Sequence, residues 1–265
     1  MIVRDPSFYP AGVVPEPVEG QILMGLTGSR AYGLDTADSD YDWKGIYQAP
    51  TAQALGMIPP KETIVRSAPH PDLQVHELGK FLALALKCNP TVMEMLWLDE
   101  YVLLADTGHA LIANRELFLW SKPVQGFFTG KATQMIKQLR SGNIPDEAKE
   151  GVGEAYISYA KDQFRRIVDR DGTYKSKLAK RTEKHTRHLF RLLDQGEQLL
   201  TTGQLEVKVR DPQRLFDIAA LPLDEMIPLA EAELERFKRI SSVLPPKPRK
   251  QEVSNLLVQL RLKEL

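Results

Sequence analysis

The stretch GLTGSRAYGLDTADSDYDWKGIY, Gly25 to Tyr47, holds a Gly-Ser pair at 28–29 and two acids, Asp40 and Asp42, two residues apart. Alternate residues of an extended strand point to one face, so this spacing presents two carboxylates side by side. Two such acids repel each other unless a cation sits between them, and hard carboxylate oxygens suit Mg²⁺ or Mn²⁺. Ahead of them, Gly28-Ser29 ends an apolar run and opens a short helical turn, where backbone N–H groups and a hydroxyl can hold phosphate oxygens. Glycine there lets a phosphate approach the backbone closely. Taken alone, Gly-Ser is a commonplace turn pair, and Asp35 to Asp40 (DTADSD) reads equally well as a solvated loop. The specificity lies in the order: strand, Gly-Ser, a ten-residue gap, then Asp-x-Asp within a strand. That order predicts a triphosphate-and-metal site, one end gripping phosphates and the other placing ions.

These residues need strands to hold them. QILMGL, Gln21 to Leu26, is short and apolar, as a buried strand is, and Asp40 to Ala49 alternates in character as a second strand does. A third, DLQVHE, Asp72 to Glu77, follows the Pro-containing stretch 57–71. Leu78, Phe81, Leu82, Ala85 and Leu86 then recur at helical spacing. Asn89-Pro90 stops that helix and caps the next, and Thr91-Val92-Met93-Glu94 fits a capping box. Past about Ala105 the strand signals fade. Segments 130–141, 153–169, 174–201, 224–242 and 252–265 all read as helices. The expected fold is therefore α+β: a catalytic core over 1–105 built on a small mixed sheet with flanking helices, then a helical domain over 106–265. A Pro-rich basic connector at 243–251 leaves the last helix expected to pack loosely or to meet a partner.

The bulk composition narrows the partners. With 35 basic and 35 acidic residues the formal charge is zero, so any contact with nucleic acid depends on local clustering. One cysteine, Cys88, excludes an internal disulfide and fits a reducing compartment. No apolar stretch is long enough to span a bilayer, and the first residues lack a signal-peptide core, so a cytoplasmic protein without membrane contact is expected.

On these residues the sequence resembles the DNA polymerase β-like nucleotidyltransferases, whose signature is Gly-Ser followed by Asp-x-Asp. GSRAYGLDTADSDYDWKGIY resembles more narrowly the RNA-ligase-associated branch, which shares Gly-Ser-x-Ala-Tyr-Gly and Ser-Asp-Tyr-Asp. Two further stretches are similar to that branch. They are His76 to Trp97, with Asn-Pro and a Glu-Leu-Leu-like ending at Glu94-Met95-Leu96, and Lys184 to Leu205, with Lys-His-x-x-His-x-x-Arg-Leu. The resemblance implies a metal-dependent transfer of NMP from an NTP, ATP among the possible donors, to an acceptor hydroxyl with release of pyrophosphate. It implies an RNA end as acceptor and an RNA ligase or other protein as a possible partner. It also implies a third acid from a neighbouring strand, for which Asp72 is the first candidate and Glu77 the second. Arg30 joins Gly28 and Ser29 as an expected nucleotide contact. Nucleotidylation of a protein or small molecule, by a toxin or regulatory enzyme, is the alternative from the same core. A non-catalytic nucleotide-binding module is the other.

Lys177, Arg181, Lys184, His188 and Arg191 fall within an arc of roughly 80° at 100° per residue, giving one basic helix face. Between Lys175 and Arg191 there are seven Lys or Arg and one acid, Glu183. A solvated face is the plain alternative, but this excess favours anion contact, with Lys184, His188 and Arg191 as expected nucleotide ligands. His185 and His188 lack a third ligand nearby, which argues against zinc. His76, on the Asp72 face by period two, is expected to be structural.

Overall fold

The computed structural model describes residues 2–121, 174–237 and 239–263, with side chains of the helix Tyr174–Thr202 described from Glu183 onward. The helices expected at 130–141 and 153–169 lie outside the described residues. The chain divides into two compact units. One comprises 1–123, 202–209 and 243–265, and the other 124–201 and 210–242. This is not the single cut near residue 105 that the sequence implies, because the chain returns twice to the first unit.

The first unit is built on a five-stranded mixed sheet. Its strands are β2 (Gln21–Thr27), β3 (Asp42–Tyr47), β4 (Thr63–Arg66), β5 (Leu73–Glu77) and β7 (Leu103–Leu104), in the order β4-β5-β3-β2-β7. β3 runs parallel to β5, and the other neighbours are antiparallel. A separate parallel pair joins β1 (Ile2–Val3) to β6 (Glu100–Tyr101). The sequence expects β2, β3 and β5, but β3 begins at Asp42 rather than Asp40. β4, inside the Pro-containing stretch, is additional.

One face of the sheet is closed by Met24, Trp43, Tyr47, Leu73 and Val75, packed with Val18 and Ala49 and partly covered by Tyr9, Val14 and Tyr41. The alternate residues of β3, namely Asp42, Lys44 and Ile46, point the other way. Ile46 is fully buried there, on the face toward α3 (Leu78–Leu86). Glu77 ends β5 and caps α3, accepting from the Gly79 N–H at 2.6 Å. α4 (Pro90–Met93) starts as expected, with the Asn89 side chain accepting from Thr91 N and proline in the first turn. The remaining helices of this unit are α1 (Gly28–Tyr32), α2 (Thr51–Leu55), α5 (Asp106–Ala113) and Lys250–Leu262.

The last helix is not loose. It buries Val253, Leu256 and Leu260, and Arg261 pairs with Glu77 while donating to Ala49 O at 2.7 Å. Thr51 Oγ1 donates to Arg261 O at 2.9 Å. In the second unit the described helices include Tyr174–Thr202, Pro212–Ala220 and Leu223–Phe237, the middle one not expected from sequence. Asp211 caps it, accepting from Arg214 N. Among the described residues no helix is long and apolar enough to cross a membrane.

His76 on β5 is structural, as expected: it is buried, and its Nδ1 meets Thr63 Oγ1 at 2.9 Å on the paired β4. Burial, with Lys44 and Lys80 adding to it, pushes its pKa down to about 4. The unfolded chain takes up this proton below about 6.5 while the folded chain refuses it until about 4. Stability therefore falls as pH drops through that window and levels off below it. Between pH 7 and 5 this group is expected to cost about 2 kcal/mol. Denaturant titrations at the two pH values should show a correspondingly smaller loss in His76→Gln.

Candidate active site at the carboxyl end of β2

β2 ends at Thr27, and the next residue turns the chain. Gly28 has φ +73°, a left-handed conformation that a side chain would strain. α1 then runs for five residues, Gly28–Tyr32, and is closed by Gly33 at φ +68°. The register pairs Thr27 with Asp42, and Thr27 Oγ1 donates to Asp42 O at 2.9 Å. As a result the Asp42 carboxylate lies against the Gly28 Cα. A Cβ built on Gly28 would sit 3.1 Å from Asp42 Cγ and would collide with Oδ2. The two halves of the motif, fourteen residues apart, are thus one piece of surface.

The ten residues between them form a braced loop. Leu34 N donates to Ser29 O at 2.9 Å, and Ser39 N to Thr36 O at 2.9 Å. Arg30 donates to Ser39 O from Nε at 3.2 Å and Nη2 at 2.7 Å, reaches Asp35 at 3.3 Å, and lies 4.0 Å over the Tyr41 ring. Arg30, expected as a nucleotide contact, is here the brace of this loop. Asp40 stands at the loop's end, just before β3, and is exposed like Asp42.

Asp72 is exposed immediately before β5. The parallel register Trp43 with Leu73, extended back one residue, sets Asp72 beside Asp42, and Trp43 N donates to Asp72 O at 3.0 Å. Glu77 cannot serve as the third acid: it sits at the opposite end of β5, engaged by Gly79 N and Arg261. Among the described residues no three His, Cys, Asp or Glu side chains converge closely enough to hold an ion between them. The donor set that is present, exposed carboxylate oxygens on adjacent strands beside a glycine turn, fits Mg²⁺, which is held by one or two carboxylates together with substrate phosphates and water.

Glu94 differs most from its sequence reading. It is buried, at 1% exposure, and makes no capping box with Thr91, whose N–H goes to Asn89. Tyr32 Oη donates to it at 2.9 and 3.1 Å, and Lys44 Nζ at 3.3 Å while also donating to Thr91 O at 3.1 Å. Sequence reasoning gives Tyr32 and Lys44 no role at the site and has Glu94 shape it, through a capping box, rather than touch substrate. The available signal was that Tyr32 and Glu94 both lie within the motifs that carry the family resemblance.

On the helix Tyr174–Thr202, Lys184 is exposed and His188 half-buried, but Arg191 is 1% exposed. It donates to Gln195 Oε1 at 2.7 Å, and its Nη2 meets His188 Nδ1 at 2.9 Å. Arg191 is therefore not part of a solvated basic face. The side chains of Lys177 and Arg181 lie outside those described.

Residues 20–107 match the family model RlaP, the RNA repair pathway DNA polymerase beta family. The matched stretch holds β2 to β7 with Asp40, Asp42, Asp72, Glu77 and Glu94. Among solved structures, a nucleotidyltransferase-like protein from Exiguobacterium sibiricum 255-15 is similar at a TM-score of 0.31 and 11% identity, over 92% of this chain and 75% of that one. No curated protein matches. The RlaP match places a polymerase β-type pattern on the residues that form the sheet.

Three substitutions test the geometry. Gly28→Ala is expected to cost about 1–3 kcal/mol through its positive φ and to displace Asp42, measured as a lowered denaturation midpoint. Arg191→Ala should destabilise by about 3 kcal/mol, since it removes buried charged hydrogen bonds. Lys184→Ala, at an exposed position, should stay within about 0.5 kcal/mol of wild type.

Proposed function

We propose that the chain is a metal-dependent nucleotidyltransferase that moves NMP from an NTP to an acceptor hydroxyl, the acceptor being an RNA end. The observation that carries this reading is the contact between the Gly28 turn and the Asp42 carboxylate, which joins a place for phosphates to a place for ions. The family match supports the reading, and its description as an RNA repair family favours RNA over other acceptors.

Gly28 and Ser29 receive the donor phosphates, the glycine by leaving the backbone open and the serine through its hydroxyl. Asp40 and Asp42, with Asp72 beside them, would hold Mg²⁺ or Mn²⁺. Such an ion, when bound, neutralises phosphate charge and favours departure of pyrophosphate. Asp72, at the outer end of the neighbouring strand, accepts the acceptor hydroxyl's proton. The acceptor oxygen forms a bond to the α-phosphorus, and the bond from that phosphorus to the bridging oxygen breaks. The electron pair leaves with pyrophosphate. Catalysis comes from alignment and charge neutralisation rather than from covalent chemistry by the protein. On this reading Lys184 and His188 contribute anion contacts and the protein acts in the cytoplasm.

Asp40→Ala combined with Asp42→Ala is expected to abolish Mg²⁺-dependent transfer from labelled NTP while leaving the circular dichroism unchanged. Retained transfer in that double variant would sink the assignment. Pooled RNA, DNA and protein acceptors offered with each of the four NTPs identify the acceptor: label on protein alone would replace RNA by a protein substrate.

A further inference from the structure

Glu94 is a carboxylate in an expensive place. Burying an ionised acid costs several kcal/mol unless partners offset it, and replacing a buried ion pair by apolar groups is often neutral or stabilising. What its partners have in common is their attachment. Tyr32 is the last residue of α1, the helix that Gly28 and Ser29 begin. Lys44 lies two residues beyond Asp42 on β3, on the same face. Glu94 itself follows α4, whose start is fixed by the Asn89 cap and Pro90. One carboxylate thus ties the far end of the phosphate turn to the strand that carries the metal acid, through residues 62 and 50 positions away in sequence.

We propose that Glu94 is a positioning residue that, through the Tyr32 hydroxyl and the Lys44 ammonium, sets the spacing between the Gly28-Ser29 turn and Asp42. The inference rests on the nucleotidyltransferase reading and adds residues to it. Neither Tyr32 nor Glu94 needs to touch the nucleotide, since each is buried, at 8% and 1% exposure. Small errors of spacing between phosphate and ion weigh most on the transition state, so their removal acts on turnover more than on ground-state binding.

The test uses the full chain and the variants Tyr32→Phe, Lys44→Met and the double variant, with three measurements on each: kcat and KM for ATP with pooled RNA, calorimetric affinity for ATP with Mg²⁺, and the thermal midpoint. Tyr32→Phe removes one hydroxyl and keeps the ring, so it is the variant least able to unfold the protein. The expected result is a kcat at least tenfold lower in each single variant, with ATP affinity within threefold of wild type. The double variant should lose little more than the worse single, because both act through one carboxylate. Turnover within twofold of wild type in Tyr32→Phe would overturn the proposal. So would losses that multiply in the double variant, or a fall in kcat that only follows the unfolded fraction. A wild-type chain that neither binds ATP nor transfers label would instead overturn the nucleotidyltransferase reading itself, and this inference with it.

Discussion

The site depends on one close approach. The Asp42 carboxylate can lie against residue 28 only because that residue has no Cβ and adopts a left-handed φ. The approach is in turn fixed by register. Thr27 opposes Asp42, and the Thr27 hydroxyl bonds the Asp42 carbonyl, so β2 and β3 cannot slide at their ends. A one-residue slip would also turn Trp43, which is 1% exposed, out of the core and bring Asp42 into it. The apolar packing of one sheet face thereby determines where a charged group stands on the other.

From that register follows a division of labour along β3. Trp43, Gly45 and Tyr47 belong to one face, and Trp43 and Tyr47 join the hydrophobic cluster there. Asp42, Lys44 and Ile46 belong to the other, and their burial increases along the strand from exposed to fully buried. The carboxylate is at the wet end, the ammonium at the margin, and the isoleucine under α3. The parallel neighbour repeats the gradient, with Asp72 exposed outside β5 and Glu77 buried at its far end. Acids thus occur at both ends of β5, and only the outer one lies beside Asp42.

Much of this was legible in the sequence, for identifiable reasons. β2, β3 and β5 are long enough to show apolar runs or alternation, and Asn89-Pro90 is a local cap whose meaning does not depend on tertiary context. β6 and β7 have two residues each and β4 sits among prolines, so no period could reveal them. The sequence pattern runs the strand back to Asp40 because alternation does not mark where a strand starts. Glu94 fitted a local capping box, but a buried carboxylate gains more from an ammonium and a phenol than from a backbone N–H already capped by Asn89. Arg191 shared an arc with other basic residues, yet Leu189, Phe190, Leu192 and Leu193 around it are all buried, and the arc's edge went in with them. Residue type records charge, whereas burial is decided by what the neighbours do.

On the proposed reading, charge balance at the sheet end favours divalent ions. Asp42 at the start of β3 and Asp72 just before β5 are exposed acids at neighbouring strand ends, with exposed Asp40 in the loop ahead of β3, and a triphosphate would bring more negative charge. Two basic side chains of this unit, Arg30 and Lys44, are already engaged. Arg30 is held by Ser39 and Asp35, and Lys44 by Glu94 and Thr91. Drawing either one toward phosphate would release the loop it braces or leave a buried carboxylate poorly compensated, at a cost of several kcal/mol. Positive charge delivered by Mg²⁺ or Mn²⁺ carries no such penalty. On the proposed reading, the ties that hold Arg30 to its loop and Lys44 to Glu94 therefore favour ions over these side chains for neutralising a triphosphate.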